Sequence, residues 1–245
     1  MGSPTLEILK SPKIIVIAGD GISSYEVGEV WHLLDQRMDM PMSLIAIDKL
    51  NSANLTKYNT IIMVNGNYSK LKADRIKNWV TEGGLIIATK SAGKWLSTNK
   101  ISAVTYVDSK KDSTEQRPYN LMDRYKGAQV IGGTIFNTKA DLTHPLFYGY
   151  NTSEIPVFRN SVIMMKRSKN AYANPLMYET NSLLSGYISD KNLDKLENTA
   201  AVQVDKVGKG LIITFTDNPN FRAFWYGTNR MFLNAIFFGR CISTK

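Results

Sequence analysis

The sequence predicts an α/β fold built on a largely parallel sheet, and three observations carry that expectation. Continuous apolar runs at 13–18, 60–64 and 85–88 have the pattern of strands buried on both faces. Between them lie segments whose apolar residues recur at helical spacing. Each run also ends in a turn: Gly19-Asp20-Gly21, Asn65-Gly66-Asn67, and Thr89-Lys90-Ser91-Ala92-Gly93. Strands and helices alternating in this way imply right-handed crossovers, with ligand sites at the carboxyl ends of the strands.

In chain order, the run at 13–18 is a first strand. Ser23 and Glu26 then form an S-x-x-E capping box opening a helix, with Val27, Val30, Trp31 and Leu34 as its buried stripe. Pro41 closes the connection and 43–47 reads as a second strand, 60–64 as a third. Ser69 is placed to cap the next helix, with Ile76, Trp79 and Val80 inward and Gly83-Gly84 ending it. A fourth strand at 85–88 follows. Residues 97–126 are polar and turn-rich and read as a long excursion. Further strands are expected at 129–137, 162–165, 200–204 and 211–215. The aromatic segment 221–238 is expected to pack as a terminal helix through Met231, Phe232, Ala235 and Ile236. No repeat or low-complexity linker divides the chain, which favours one domain over 12–240, between a cloning scar and linker at 1–11 and a short tail at 241–245.

Composition bounds the function. Hydrophobic residues make up 43% and charged residues 21% of the 245, as in a globular protein and unlike a disordered or fibrous one. No run approaches a membrane helix, and the start has no apolar core for a signal peptide. One cysteine, Cys241, excludes an internal disulfide and any multi-cysteine metal site. The net charge of +9 is spread along the chain. Its densest patches, Lys110-Lys111 and Lys166-Arg167-Ser168-Lys169, lack interleaved aromatics, so a solvated basic face is preferred to a nucleic-acid partner.

The stretch GGLIIATKSAGKWL runs a strand through a sharp turn into a helix, the outline of a nucleophile elbow with Ser91 as its candidate. Together with the order of the preceding elements, this resembles the class I glutamine amidotransferase-like fold. The segments SSYEVGEVWHLLDQR, DLTHPLFYGY, LLSGYIS and DNPNFRAFWYGTNRMFLNAIFFG further resemble the carboxyl-terminal domain of certain secreted zinc carboxypeptidases of the Bacteroidetes, over about 12–240. That resemblance implies a flavodoxin-like three-layer sandwich in a periplasmic or extracellular protein. It also implies an absent catalytic domain that carries the zinc and the peptidase activity and is this domain's partner, with no cofactor in the domain itself.

Measured against the amidotransferase pattern G-x-C-x-G, the resemblance puts Ser91 where the cysteine stands and Thr89 where the first glycine stands. The late-strand histidine has no counterpart in Phe215-Thr216-Asp217-Asn218-Pro219, so the expectation is a non-catalytic accessory domain. The resemblance places the Asn65-Gly66-Asn67 turn at the oxyanion-loop position, where its backbone N–H groups are expected to be on offer. Three other readings stay open. A divergent serine hydrolase would pair Ser91 with His144. A zinc site would use His32, Asp35 and His144, whose spacing nearly matches a peptidase motif but with Asp in place of Glu. A carbohydrate-binding module, or one resembling trehalose-utilisation proteins, would draw on the Asp141-Leu142-Thr143-His144-Pro145 stretch. For binding without chemistry, Asp20, Asn67, Lys90, Ser91 and Arg222 are the expected cleft. Phe221, Phe224, Trp225 and Tyr226 with Arg222 form either a contact surface for a peptide or glycan or a staple holding the terminal helix, the staple being preferred.

Overall fold

The computed structural model describes residues 9–108 and 116–244. The basic pair Lys110-Lys111 and the first residues of the expected scar lie outside them. The first half follows the alternation read from the sequence: β1 (Ile14–Ala18), α1 (Ser24–Trp31), β2 (Met42–Ala46), α2 (Ile47–Leu50), β3 (Thr60–Met63), α3 (Ala73–Thr81), β4 (Leu85–Thr89) and α4 (Ser91–Thr98). After α5 (Met122–Ala128) come β5 (Thr134–Ala140), β6 (Glu154–Arg159), β7 (Leu176–Gly186), α6 (Asp190–Leu196), β8 (Ala200–Val207), β9 (Gly210–Phe215) and α7 (Asn229–Phe238).

Nine strands form one sheet in the order β2-β1-β3-β4-β9-β8-β7-β5-β6. The pairs from β2 across to β9 are parallel, and those from β9 onward to β6 are antiparallel. The fold is thus a mixed α/β protein, parallel through its centre and consistent with a flavodoxin-like arrangement; the largely parallel sheet expected from sequence stops at β9. Central strands β1, β3, β4 and β9 are buried along nearly their whole lengths, which is why they read as unbroken apolar runs.

Several local expectations are corrected. Trp31 is 41% exposed; Leu33 takes its place beside Val27, Val30 and Leu34, because the chain widens to a π-helix at His32–Arg37 and rotates the stripe. Ser69 caps nothing, since α3 starts four residues later after Lys72. Residues 162–165 form no strand; only Met165 bridges, to Tyr106 and Ala200, and β6 lies earlier. The strand expected at 129–137 begins at Thr134. The terminal helix covers only Asn229–Phe238, because Arg222 and Ala223 have φ of 51° and 56° and break the preceding segment into short 3-10 turns. Its expected apolar face, Met231, Phe232, Ala235 and Ile236, is buried.

Candidate functional site

The carboxyl ends of β1, β3, β4 and β9 converge, and their turns are tied together. Ser23 N–H donates to Asn65 O at 2.9 Å and Asn67 N–H to Gly21 O at 2.8 Å, which brings the first two turns side by side. Gly66 permits this: a Cβ there would stand 2.8 Å from Ile22 Cδ1 and 2.9 Å from Gly21 O.

At the end of β4 the strain sits one residue earlier than the sequence pattern places it. Lys90 has φ 49° and ψ −117°, a conformation that side chains rarely adopt, and it directly precedes α4. The small residues flanking the elbow are Ala88 and Ala92, both fully buried, so the turn reads A-T-K-S-A with Lys90 at its apex. Ser91 is already the first residue of the helix.

A cation at a helix N-terminus is opposed by the dipole, and Lys90 is buried as well. Glu26 answers both problems. Its Oε1 lies 2.8 Å from Lys90 Nζ, with the two side chains only 9% and 8% exposed. Glu26 Oε2 accepts from Asn65 N–H at 3.0 Å and Thr89 Oγ1 at 3.2 Å, so both oxygens are engaged. The carboxylate is itself in the first turn of α1, where a negative charge is favoured. The capping box is therefore half made: Ser23 Oγ accepts from Glu26 N–H at 3.4 Å, while the Glu26 side chain is turned to the site. Lys90 Nζ makes a second bond to Asn160 Oδ1 at 2.8 Å, reaching across to the chain just after β6.

One turn along α1 stands Glu29, half-buried, accepting from Asn218 Nδ2 and from the backbone N–H of Arg222. Burial pushes its carboxyl above the usual range, against the lowering effect of those two bonds. Glu29, Lys90, Asn160, Asn218 and Arg222, with the Phe221 ring, surround a pocket of about 380 Å³. Its floor is a neutralised ion pair and its rim carries one carboxylate and one guanidinium.

Ser91 Oγ turns away from any base. It donates toward Asn65 Oδ1 at 2.7 Å or Gly66 O at 2.8 Å and accepts from Gly66 N–H at 2.7 Å, stapling α4 to the β3 turn. His144 caps the 3-10 turn Pro145–Phe147 beside α7, its Nδ1 accepting from Leu146 N–H at 3.3 Å. Burial pulls its pKa down to about 4. No hydrogen bond joins His144 to Ser91. At the expected place of a catalytic histidine stands Asp217, buried and bound by Arg159 Nη1 at 2.8 Å, Thr216 Oγ1 at 2.9 Å and Tyr178 OH. Among the described residues no three His, Cys, Asp or Glu side chains converge into a metal cluster, and no helix is long and apolar enough to cross a membrane.

Of the expected cleft, Lys90 and Arg222 share the pocket. Ser91 faces the neighbouring β3 turn, to which Asn67 belongs, and Asp20 lies exposed in the β1 turn; none of the three lines the pocket. Glu26, Glu29, Asn160 and Asn218 escaped sequence reasoning. The one legible signal was Glu26-x-x-Glu29, two carboxylates at i, i+3 on one helix face. The aromatic cluster divides between the two roles weighed for it. Phe221 stacks on Phe158 at 3.7 Å and 15°, and Trp225 leans on the same ring, while Phe224 and Tyr226 are 55% and 59% exposed.

No family model matches the sequence, and no curated protein matches it. Among solved structures the chain is similar to a ThuA-like protein from Bacteroides uniformis, with a TM-score of 0.54 at 12% identity over 96% of this chain and 94% of that one. It is also similar to a ThuA-like protein from Parabacteroides merdae (0.53, 13%, over 84% and 79%). A cytoplasmic protein from Salmonella typhimurium gives 0.51 at 12% identity over 91% and 97%. None of these likenesses bears on a carboxypeptidase parent. At such identities the likeness is one of fold: the chain is built like these ThuA-like proteins.

Proposed function

We propose that this chain is a non-catalytic, amidotransferase-like accessory module that holds a small polar ligand or a partner without transforming it. One observation carries the reading: the strained apex of the elbow is Lys90, and its ammonium is spent on Glu26 and Asn160. An elbow works by presenting an activated nucleophile, which needs an adjacent base to take its proton. Beside Lys90 the Ser91 hydroxyl faces an amide and a backbone turn, and the Thr89 hydroxyl is held by the carboxylate that already pairs with Lys90. What remains is a preformed polar pocket of about 380 Å³ at the carboxyl ends of the strands, within the range of small-ligand sites.

The accessory role follows the sequence resemblance over 12–240. Its parent is a secreted zinc carboxypeptidase, periplasmic or extracellular, whose zinc and peptide-cleaving chemistry belong to a separate domain of the same chain. The test is to delete 12–240 from that parent and measure peptide cleavage, zinc content and thermal midpoint together. An accessory module predicts retained kcat and zinc with a lowered midpoint. Loss of kcat with zinc and fold intact would give the elbow a catalytic part and overturn the reading.

A further inference from the structure

Segment 221–227 separates the Lys90 pocket from a second, larger concavity. That groove measures about 540 Å³ and is lined by Tyr150, Phe224, Trp225 and Tyr226 together with Ile155 and Pro156 of β6. Glu154 contributes its one charge and Thr152 a hydroxyl. In a protein of net charge +9, the groove's lining gathers no cluster of cations with which to attract an anionic ligand; Arg37 beside it is already stacked over the Tyr226 ring at 4.3 Å. No residue lines both concavities, but the same two chain segments contribute to each. Phe221 and Arg222 line one and Phe224 to Gly227 the other, while the chain from Pro156 to Asn160 runs past both. At about 3.3 Å per residue that stretch spans roughly 13 Å, the length of a short oligomer.

The groove follows the open edge of β6, the last strand of the sheet. Such an edge normally invites a peptide to add as another strand. Here the invitation is withdrawn at its centre, because Pro156 has no N–H and its carbonyl accepts from Trp225 Nε1 at 3.4 Å. Ring faces with one carboxylate and a few hydroxyl groups around them suit a different ligand: one with apolar C–H faces and a periphery of hydroxyls. The balanced charges of the Lys90 pocket suit the same neutral chemistry.

We propose that a neutral oligosaccharide lies along this edge, its sugar rings on Phe224, Trp225 and Tyr226 and its end in the pocket of Lys90, Glu29 and Arg222. The proposal rests on the reading of the chain as a binding module and names the ligand class of that pocket and its extension.

The experiment is calorimetric titration of the full chain with maltohexaose, cellohexaose, mannohexaose and xylohexaose, with glucose and a proline-rich peptide as comparators. At least one hexaose is expected to bind, and glucose far more weakly. The double variant Phe224→Ala/Tyr226→Ala alters two exposed side chains and leaves the core alone, and it is expected to weaken hexaose binding by about tenfold or more. Failure of all four hexaoses to bind, undiminished binding by the double variant, or binding of the peptide in their place would overturn the proposal. Chromatography of the titrated hexaose separates this from the broader reading. A shortened hexaose would overturn the non-catalytic role while leaving the glycan site standing, and absence of both binding and cleavage would overturn the glycan site alone.

Discussion

Replacing Lys90 with Met keeps the length of the side chain and removes its charge, leaving Glu26 buried without a cation. Two hydrogen bonds to that carboxylate remain, from Asn65 N–H and Thr89 Oγ1, but breaking one side of a buried pair costs about 3–5 kcal/mol. Lys90→Gly loses the same pair yet relaxes the backbone at φ 49°, ψ −117°. That strain is worth about 1–3 kcal/mol, offset by about 0.4–1 kcal/mol for the freer unfolded chain. The glycine variant is therefore expected to be the more stable of the two, by about 1 kcal/mol at the middle of those ranges, although it deletes the whole side chain. The double variant Glu26→Gln/Lys90→Met removes both charges and is expected to recover most of the loss. Urea unfolding followed by circular dichroism at pH 7 gives the four stabilities on one scale. A loss below about 1 kcal/mol in Lys90→Met, the range of an exposed pair, would refute the idea that the ion pair secures the elbow. A glycine variant less stable than the methionine variant would refute the strain.

Three further outcomes follow from other parts of the structure. Arg159→Met leaves the Asp217 carboxylate buried with only hydroxyl partners, and urea unfolding should show a loss of about 3–5 kcal/mol, most of it restored by adding Asp217→Asn. Gly66→Ala drives a methyl into Ile22 and the Gly21 carbonyl, and its thermal midpoint should fall in step with a cost of about 1–3 kcal/mol. His144 sets an acid limit: burial pulls its pKa from 6.5 to about 4, so the folded state resists the proton that the unfolded state accepts. Its contribution is whole above pH 6.5, declines as pH falls through that value and is gone near 4, a change of about 2–3 kcal/mol. His144→Asn keeps an acceptor for Leu146 N–H without titrating, and stability curves between pH 7 and 4 should flatten accordingly.

The parallel half of the sheet was legible because its strands are buried on both faces and carry unbroken Ile and Val runs. In the antiparallel half the run at 200–204 marks β8 and 129–137 overlaps β5, but β6 and β7 were not legible. β7 contains Glu179-Thr180-Asn181, with Asn181 at φ 56°, and its pairing shifts register, so neither alternation nor an apolar run survives in sequence. β6 alternates as an edge strand should but carries Pro156, which argues against a strand in any sequence reading. At the site, the T-K-S-A-G motif pointed to the right turn and the wrong residue. Which side chain stands at the apex is a matter of one dihedral angle, and only the backbone conformation of Lys90 decides it. Glu26 was visible only as a cap, because its partners Asn65, Thr89 and Lys90 stand at the ends of strands 39 to 64 positions away. Arg159 and Asp217 are 58 positions apart and meet only after the antiparallel strands have formed.

The central claim is that the elbow carries no nucleophile, and turnover by the purified chain tests it most directly. Glutamine and p-nitrophenyl ester hydrolysis should be measured for the natural sequence, Ser91→Ala and Lys90→Met under identical conditions. The account predicts three rates indistinguishable from buffer. A measurable rate in the natural chain, abolished by either substitution while the fold persists, would contradict it.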